Sequence, residues 1–179
     1  MAKLVKADKV GIISASEHIQ NDGVVIFPTE TVFGIGASAY SDEGIKSIYR
    51  IKNRPSNNPL IMHVTNMQMA KTFWSLGDDE KMIIDKLEIL WPGPLTILAR
   101  RNKTIPTISQ SEFVAIRCPD NKIAQELIYK SGCPIVAPSA NISGKTSSTS
   151  LDHVKHYFNN EEEVIIIESE DNCDYGVES

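Results

Sequence analysis

The stretch Gly23-Val24-Val25-Ile26-Phe27-Pro28-Thr29-Glu30-Thr31-Val32-Phe33-Gly34 decides how the chain is read. Val24 to Phe27 is continuously apolar and short, the pattern of a strand buried on both faces inside an α/β sheet. Pro28 ends that strand, and a loop dense in hydroxyls follows. Upstream, Val10, Ile13 and Ile19 fall near helical spacing within residues 6–21, and Gly23 stops the helix. Downstream, Ser41-Asp42-Glu43 opens a second helix with a capping hydroxyl and two carboxylates against its positive end. Ile45, Ile48 and Tyr49 form its inner face, and it must end before Pro55. Further strands are expected at 60–64, 95–99, 113–117, 135–137 and 164–167. Helices are expected at 67–76, 78–90, 121–129 and 150–158, with Trp91-Pro92-Gly93-Pro94 as a rigid turn. Strands and helices alternate, but some strands follow one another closely, which predicts a mixed sheet covered by helices.

Composition sets the limits. The chain has 179 residues, 41% hydrophobic and 23% charged, which fits one soluble domain with a sizeable core. No apolar run approaches the roughly 20 residues that cross a bilayer, so no membrane partner is expected. No secretory signal is expected from the N-terminal residues. Cys118, Cys133 and Cys173 are odd in number and lack metal-binding spacing, which favours structural thiols in a reducing cytoplasm. The net charge of −5 argues against a uniformly basic nucleic-acid binder. Lys46, Arg50, Lys52 and Arg54 cluster nevertheless, as do Arg100, Arg101 and Lys103. The acidic runs at 161–163 and 168–174 read as solvated faces.

Three polar islands abut the apolar runs: residues 28–34, Lys52-Asn53-Arg54-Pro55-Ser56-Asn57-Asn58-Pro59, and Ala137-Pro138-Ser139-Ala140-Asn141-Ile142-Ser143-Gly144. Polar groups gathered at strand ends suit a ligand site on a rigid sheet. There is no phosphate loop of the Walker type, no dinucleotide fingerprint and no nucleophile elbow. The four histidines show no metal spacing. An enzyme built this way works by gathering reactants and stabilising charge. Arg54 offers a bidentate fork for phosphate and Lys52 a mobile point charge; otherwise both are solvated residues at a helix end. His63 is either a core histidine or a ligand contact, and Arg117 faces either a cleft or an exposed rim. Ser139, Asn141 and Ser143 either contact a ligand or close a tight turn.

Taken together, the islands resemble the YrdC family of threonylcarbamoyl-adenylate synthases over essentially the whole chain. The likeness rests on residues 28–36, Lys52-Asn53-Arg54-Pro55 with Asn58-Pro59-Leu60-Ile61 and His63, Trp91-Pro92-Gly93-Pro94-Leu95-Thr96, Arg117-Cys118-Pro119, and the 137–144 island. Five weak signals in order make a specific one. The resemblance implies a twisted mixed α/β sheet with a large positively charged cavity, in which L-threonine, bicarbonate and ATP yield threonylcarbamoyl-AMP and diphosphate. Partner proteins then use that product for threonylcarbamoyladenosine modification of tRNA. It implies threonine contacts from Thr31, His63, Arg117 and Ser179. ATP contacts would come from Lys52, Arg54, Asn58, Ser139, Asn141 and Ser147, with Lys52 and Arg54 as the catalytic pair. Mg²⁺ would arrive with the nucleotide, and no metal would be held by protein side chains. The expected layout is a single domain over 1–179 that lacks the family's last strand, its basic closing segment and the extra domain of longer members. The alternative is a double-stranded RNA or tRNA binding module without catalysis of its own. Carbamoyl transfer to another acceptor, as in the related domain of hydrogenase maturation proteins, is a further one.

Overall fold

A computed structural model describes residues 1–102, 111–169, 173, 176 and 177. Among these, eight strands form one mixed sheet: β1 (Lys3–Lys6), β2 (Val24–Phe27), β3 (Gly34–Ser38), β4 (Ile61–His63), β5 (Thr96–Arg100), β6 (Phe113–Arg117), β7 (Ile135–Ala137) and β8 (Val164–Glu168), in the order β1-β8-β2-β3-β7-β4-β6-β5. Six α-helices accompany them: α1 (Lys9–Gln20), α2 (Asp42–Lys52), α3 (Met67–Lys71), α4 (Asp78–Leu87), α5 (Lys122–Ser131) and α6 (Leu151–Phe158).

The helix starts follow local chemistry. Asp8 accepts from the Gly11 amide at 2.9 Å, Ser41 from Gly44 at 2.8 Å, and Asn121 from Ile123 and Ala124, each satisfying amides the helix leaves open. Asn53 closes α2 in the left-handed region, φ 53°, a conformation asparagine tolerates. The predicted helix at 67–76 stops at Lys71, and the last turn of the one at 78–90 tightens to a 3-10 turn, Glu88–Leu90.

Strand β2 buries both faces, as its unbroken apolar pattern requires. Val24 and Ile26 join a core with Ile45, Ile48 and Ile51 of α2 and Val154 and Phe158 of α6. Val25 and Phe27 join the opposite core with Ala15 and Ile19 of α1 and Ala124, Leu127 and Ile128 of α5. Two strands escaped the sequence reading. β1 pairs in parallel with β8 at one edge. β3 lies antiparallel to both β2 and β7; its glycines stand where the Phe27 ring needs room. A Cβ on Gly36 would meet Ile135 Cγ2 at 2.6 Å and Phe27 Cε1 at 2.9 Å.

Candidate functional site

Register puts the site together. His63 lies opposite Arg117 on β6 and Ile135 on β7, and Ile61 lies opposite Ala137. Strand alternation therefore stands Ile61, His63, Arg117 and Ala137 on one face of the sheet. Phe27 projects from the same face, its ring edge-on to His63 with centroids 6.2 Å apart. A cleft of about 120 Å³ opens there, lined by Thr29, Val32, Phe33, Gly34, Arg54, Pro59, Ile61, His63, Arg117 and residues 137–139. It is smaller than the roughly 300–1,000 Å³ of most small-molecule pockets.

Of the predicted site residues, Arg54, His63, Arg117 and Ser139 line this cleft. Arg54 is half-buried, and its guanidinium donates to the carbonyls of Asn58 (3.4 Å) and Pro59 (3.1 Å) on its own loop. Asn58 is exposed; its side chain does not line the cleft, and its carbonyl also receives the Tyr49 hydroxyl at 2.9 Å.

Lys52 departs from the sequence reading. It is no mobile surface charge but a 1% exposed strut. Its Nζ donates to the Ser139 carbonyl, to the Asn141 carbonyl at 2.5 Å and to Asn141 Oδ1 at 3.3 Å. The Ser143 amide donates back to the Lys52 carbonyl at 2.9 Å. The second and third islands are thus one hydrogen-bonded unit. Asn141 is its hub: Oδ1 accepts the Ser139 hydroxyl at 2.6 Å, and Nδ2 donates to Ile142 and Lys145 carbonyls. Ser147 is half-buried in the loop before α6 and lies outside the cleft lining.

Thr31 is also beneath the surface, at 1% exposure. Thr29 Oγ1 lies 2.6 Å from the Val32 carbonyl and 3.0 Å from Thr31 Oγ1. Its single proton serves the carbonyl, so Thr31 is the donor in the hydroxyl pair. Thr29, not Thr31, reaches the cleft. Ser179 lies outside the described residues.

The charged groups are tightly placed. Arg117 Nη2 is 2.8 Å from Glu30 Oε1, with both side chains almost fully buried, and Arg117 Nε points at the Gly93 carbonyl at 3.4 Å. Gly93 belongs to the Trp-Pro-Gly-Pro turn, whose Trp91–Pro92 bond is cis. The Gly93 amide binds the Cys118 carbonyl at 2.8 Å, so the turn buttresses the end of β6. Burial, and then the Arg117 charge, hold His63 down to about 3 against the pull of the Ile61 and Ile135 carbonyls. It is therefore a neutral imidazole at neutral pH.

Sequence reasoning passed over Thr29 and Glu30, although both sit in the first island. The available signal was a lone carboxylate between buried apolar segments. Burial raises the thiols of Cys118 and Cys133, which makes neither an activated nucleophile. Among the described residues no disulfide joins the cysteines, no cluster of three or more His, Cys, Asp or Glu side chains could hold a metal, and no helix is long and apolar enough to cross a membrane. Each of the two basic clusters has a cation paired with an acid, Arg50 with Glu163 and Arg100 with Glu112 at 3.5 Å.

Known proteins share the sequence and fold of this chain. Residues 17–179 match the Sua5/YciO/YrdC family model, which bears the description Telomere recombination. Threonylcarbamoyl-AMP synthase of Bacillus subtilis (strain 168) is 40% identical over 148 residues, which cover 81% of this chain and 42% of that protein. A doubly substituted Sua5 from Pyrococcus abyssi superposes over 100% of this chain and 56% of its own with a TM-score of 0.91 at 35% identity. The crystal structure of P. abyssi Sua5 complexed with L-threonine gives a TM-score of 0.83 at 36% identity, over 94% of this chain and 50% of that one. The chain spans about half the length of these relatives.

Proposed function

The chain belongs to the Sua5/YciO/YrdC family, and on that premise we propose that it is an L-threonylcarbamoyladenylate synthase. L-Threonine, bicarbonate and ATP would give L-threonylcarbamoyladenylate and diphosphate, for use by partner proteins that modify tRNA. The observation that carries this reading is convergence. Arg54, His63, Arg117 and Ser139 come from four separate segments and line one cleft, while Lys52 ties two of those segments together.

The chemistry asks little covalent work of the protein. The threonine amine adds to bicarbonate with loss of water to form a carbamate, whose oxygen attacks the α-phosphorus of ATP as diphosphate leaves. The substrates supply both nucleophile and electrophile, so the protein must bind, orient and offset charge. Arg54 is suited to the phosphates. Its present bonds go to its own loop carbonyls, and the guanidinium can exchange these for phosphate oxygens. Ser139 offers a hydroxyl beside it. Lys52 acts one layer below, holding the Ser139–Asn141 loop and adding positive charge under it. Arg117 is placed for the threonine carboxylate, with neutral His63 alongside to hydrogen-bond without adding charge. Thr31, Asn141, Asn58 and Ser147 support or border the site, and Ser179 is proposed as a threonine contact on the family likeness alone. ATP would enter as its magnesium complex, the metal being part of the substrate. Three cysteines without a disulfide suit a reducing cytoplasm.

The deciding measurement is diphosphate release from ATP with threonine and bicarbonate added or withheld. Release that needs both supports the synthase; release indifferent to threonine removes it.

A further inference from the structure

The loop after β2 buries a carboxylate for which the reaction above has no use. Glu30 is 4% exposed, and its Oε1 sits 2.8 Å from Arg117 Nη2. An ionised carboxylate can accept about four hydrogen bonds. Among the described residues neither Glu30 oxygen accepts one, and the close contact with Arg117 is an ion pair of poor hydrogen-bond geometry. A charge buried with so little solvation is held by the opposite charge beside it.

That contact changes what the cleft attracts. A lone guanidinium in a closed cleft would bind any small carboxylate. With Glu30 against it the two charges cancel, and the site presents a dipole. A monoanion is drawn by Arg117 and repelled by Glu30. A ligand carrying a carboxylate and an ammonium a few bonds apart gains from both. His63, neutral because burial and Arg117 hold its pKa near 3, adds no positive charge that would restore a preference for bare anions.

We propose that Glu30 is a positioning residue that makes the Arg117 region of the cleft selective for a zwitterionic α-amino acid over other small carboxylates. This rests on reading the cleft as an amino-acid and nucleotide site. Glu30's oxygens are closed to solvent, so it acts through Arg117 and through its field and is not a catalytic residue.

The test is direct binding, by equilibrium dialysis, of threonine and of two relatives with its carbon skeleton. One is the dihydroxy acid with the amine replaced by hydroxyl; the other is the amino alcohol without the carboxylate. Wild-type protein should prefer threonine to the dihydroxy acid by roughly tenfold or more, the worth of one charge-assisted interaction, and should bind the amino alcohol weakly. Glu30→Gln should weaken threonine by about that factor while leaving the dihydroxy acid unchanged or tighter, and Glu30→Asp should recover part of the preference. A merely structural role would weaken both ligands in proportion, and that result overturns the proposal. Equal wild-type affinity for threonine and the dihydroxy acid also overturns it, and needs no variant to fold. Failure of wild-type protein to bind threonine at all removes the amino-acid reading, and this inference with it.

Discussion

Lys52 and Arg54 are two residues apart, yet their charges do different work. Replacing Lys52 by Met would take the buried ammonium from all three of its acceptors; the Ser139 carbonyl keeps the Asn141 amide and Asn141 Oδ1 keeps the Ser139 hydroxyl, but the Asn141 carbonyl loses its donor. An orphaned buried acceptor costs about 1–3 kcal/mol, so urea unfolding of Lys52→Met should show a loss of about 2–3 kcal/mol, the lost links between the two islands included, together with lost turnover. Arg54→Ala removes only bonds to an exposed loop. It should abolish diphosphate release while costing less than about 1 kcal/mol of stability. Equal destabilisation by the two variants would contradict this division. His63 supplies a pH test. Its pKa is held to about 3 in the folded chain and returns to about 6.5 when unfolded, so only the unfolded chain takes up the proton between those values. The stability it contributes is complete above about pH 6.5 and falls by up to about 1.4 kcal/mol per pH unit below that. In His63→Asn that component of acid sensitivity should vanish from urea midpoints measured between about pH 7 and pH 4.

At the scale of elements, β3 shows how a poor strand former becomes a strand. Gly34-Ile35-Gly36-Ala37-Ser38 has weak β-propensity, but Ile35 and Ala37 fill one core while the glycines leave space for Phe27, whose ring abuts His63. Gly36→Ala would drive a methyl into Ile135 and Phe27. The expected result is a loss of about 1–3 kcal/mol from overpacking, with weaker threonine binding because Phe27 and His63 must shift; an unchanged midpoint would show that β3 yields easily. The same strand marks the limit of what could be read in advance. Apolar runs and caps located β2, α2, β6, β7 and α6 nearly to the residue, because those signals are local. β3 looked like the tail of a polar loop, and β1, with lysines at both ends, gave no strand signal. Arg54, His63, Arg117 and Ser139 were legible as polar residues at strand ends. Glu30 and Thr29 were not, because their roles depend on Arg117, far along the chain, and on which hydroxyl faces inward.

At the scale of the molecule, strand order separates stability from function. Loops after β2 and β7 and side chains of β4 and β6 build the cleft, while β1 and β8 lie toward the opposite edge. β8 is the apolar Val164-Ile165-Ile166-Ile167, flanked in parallel by β1 and β2, and β1 covers what would otherwise be its open ladder. The Ala2 amide also binds the Asn159 carbonyl at 2.8 Å, fastening the terminus to the end of α6. Deleting residues 1–6 removes this cover without touching a cleft residue. The truncated chain should lose about 1–3 kcal/mol by urea unfolding, in keeping with a few lost ladder bonds. It should also self-associate with rising concentration in sedimentation, because an unpaired isoleucine-rich edge is a template for pairing. Threonine-dependent diphosphate release per folded molecule should stay within about twofold of the full chain, since a stiff sheet leaves the far strands in register. If release collapses while the fold persists, the cleft depends on the whole sheet and the separation drawn from its strand order is wrong.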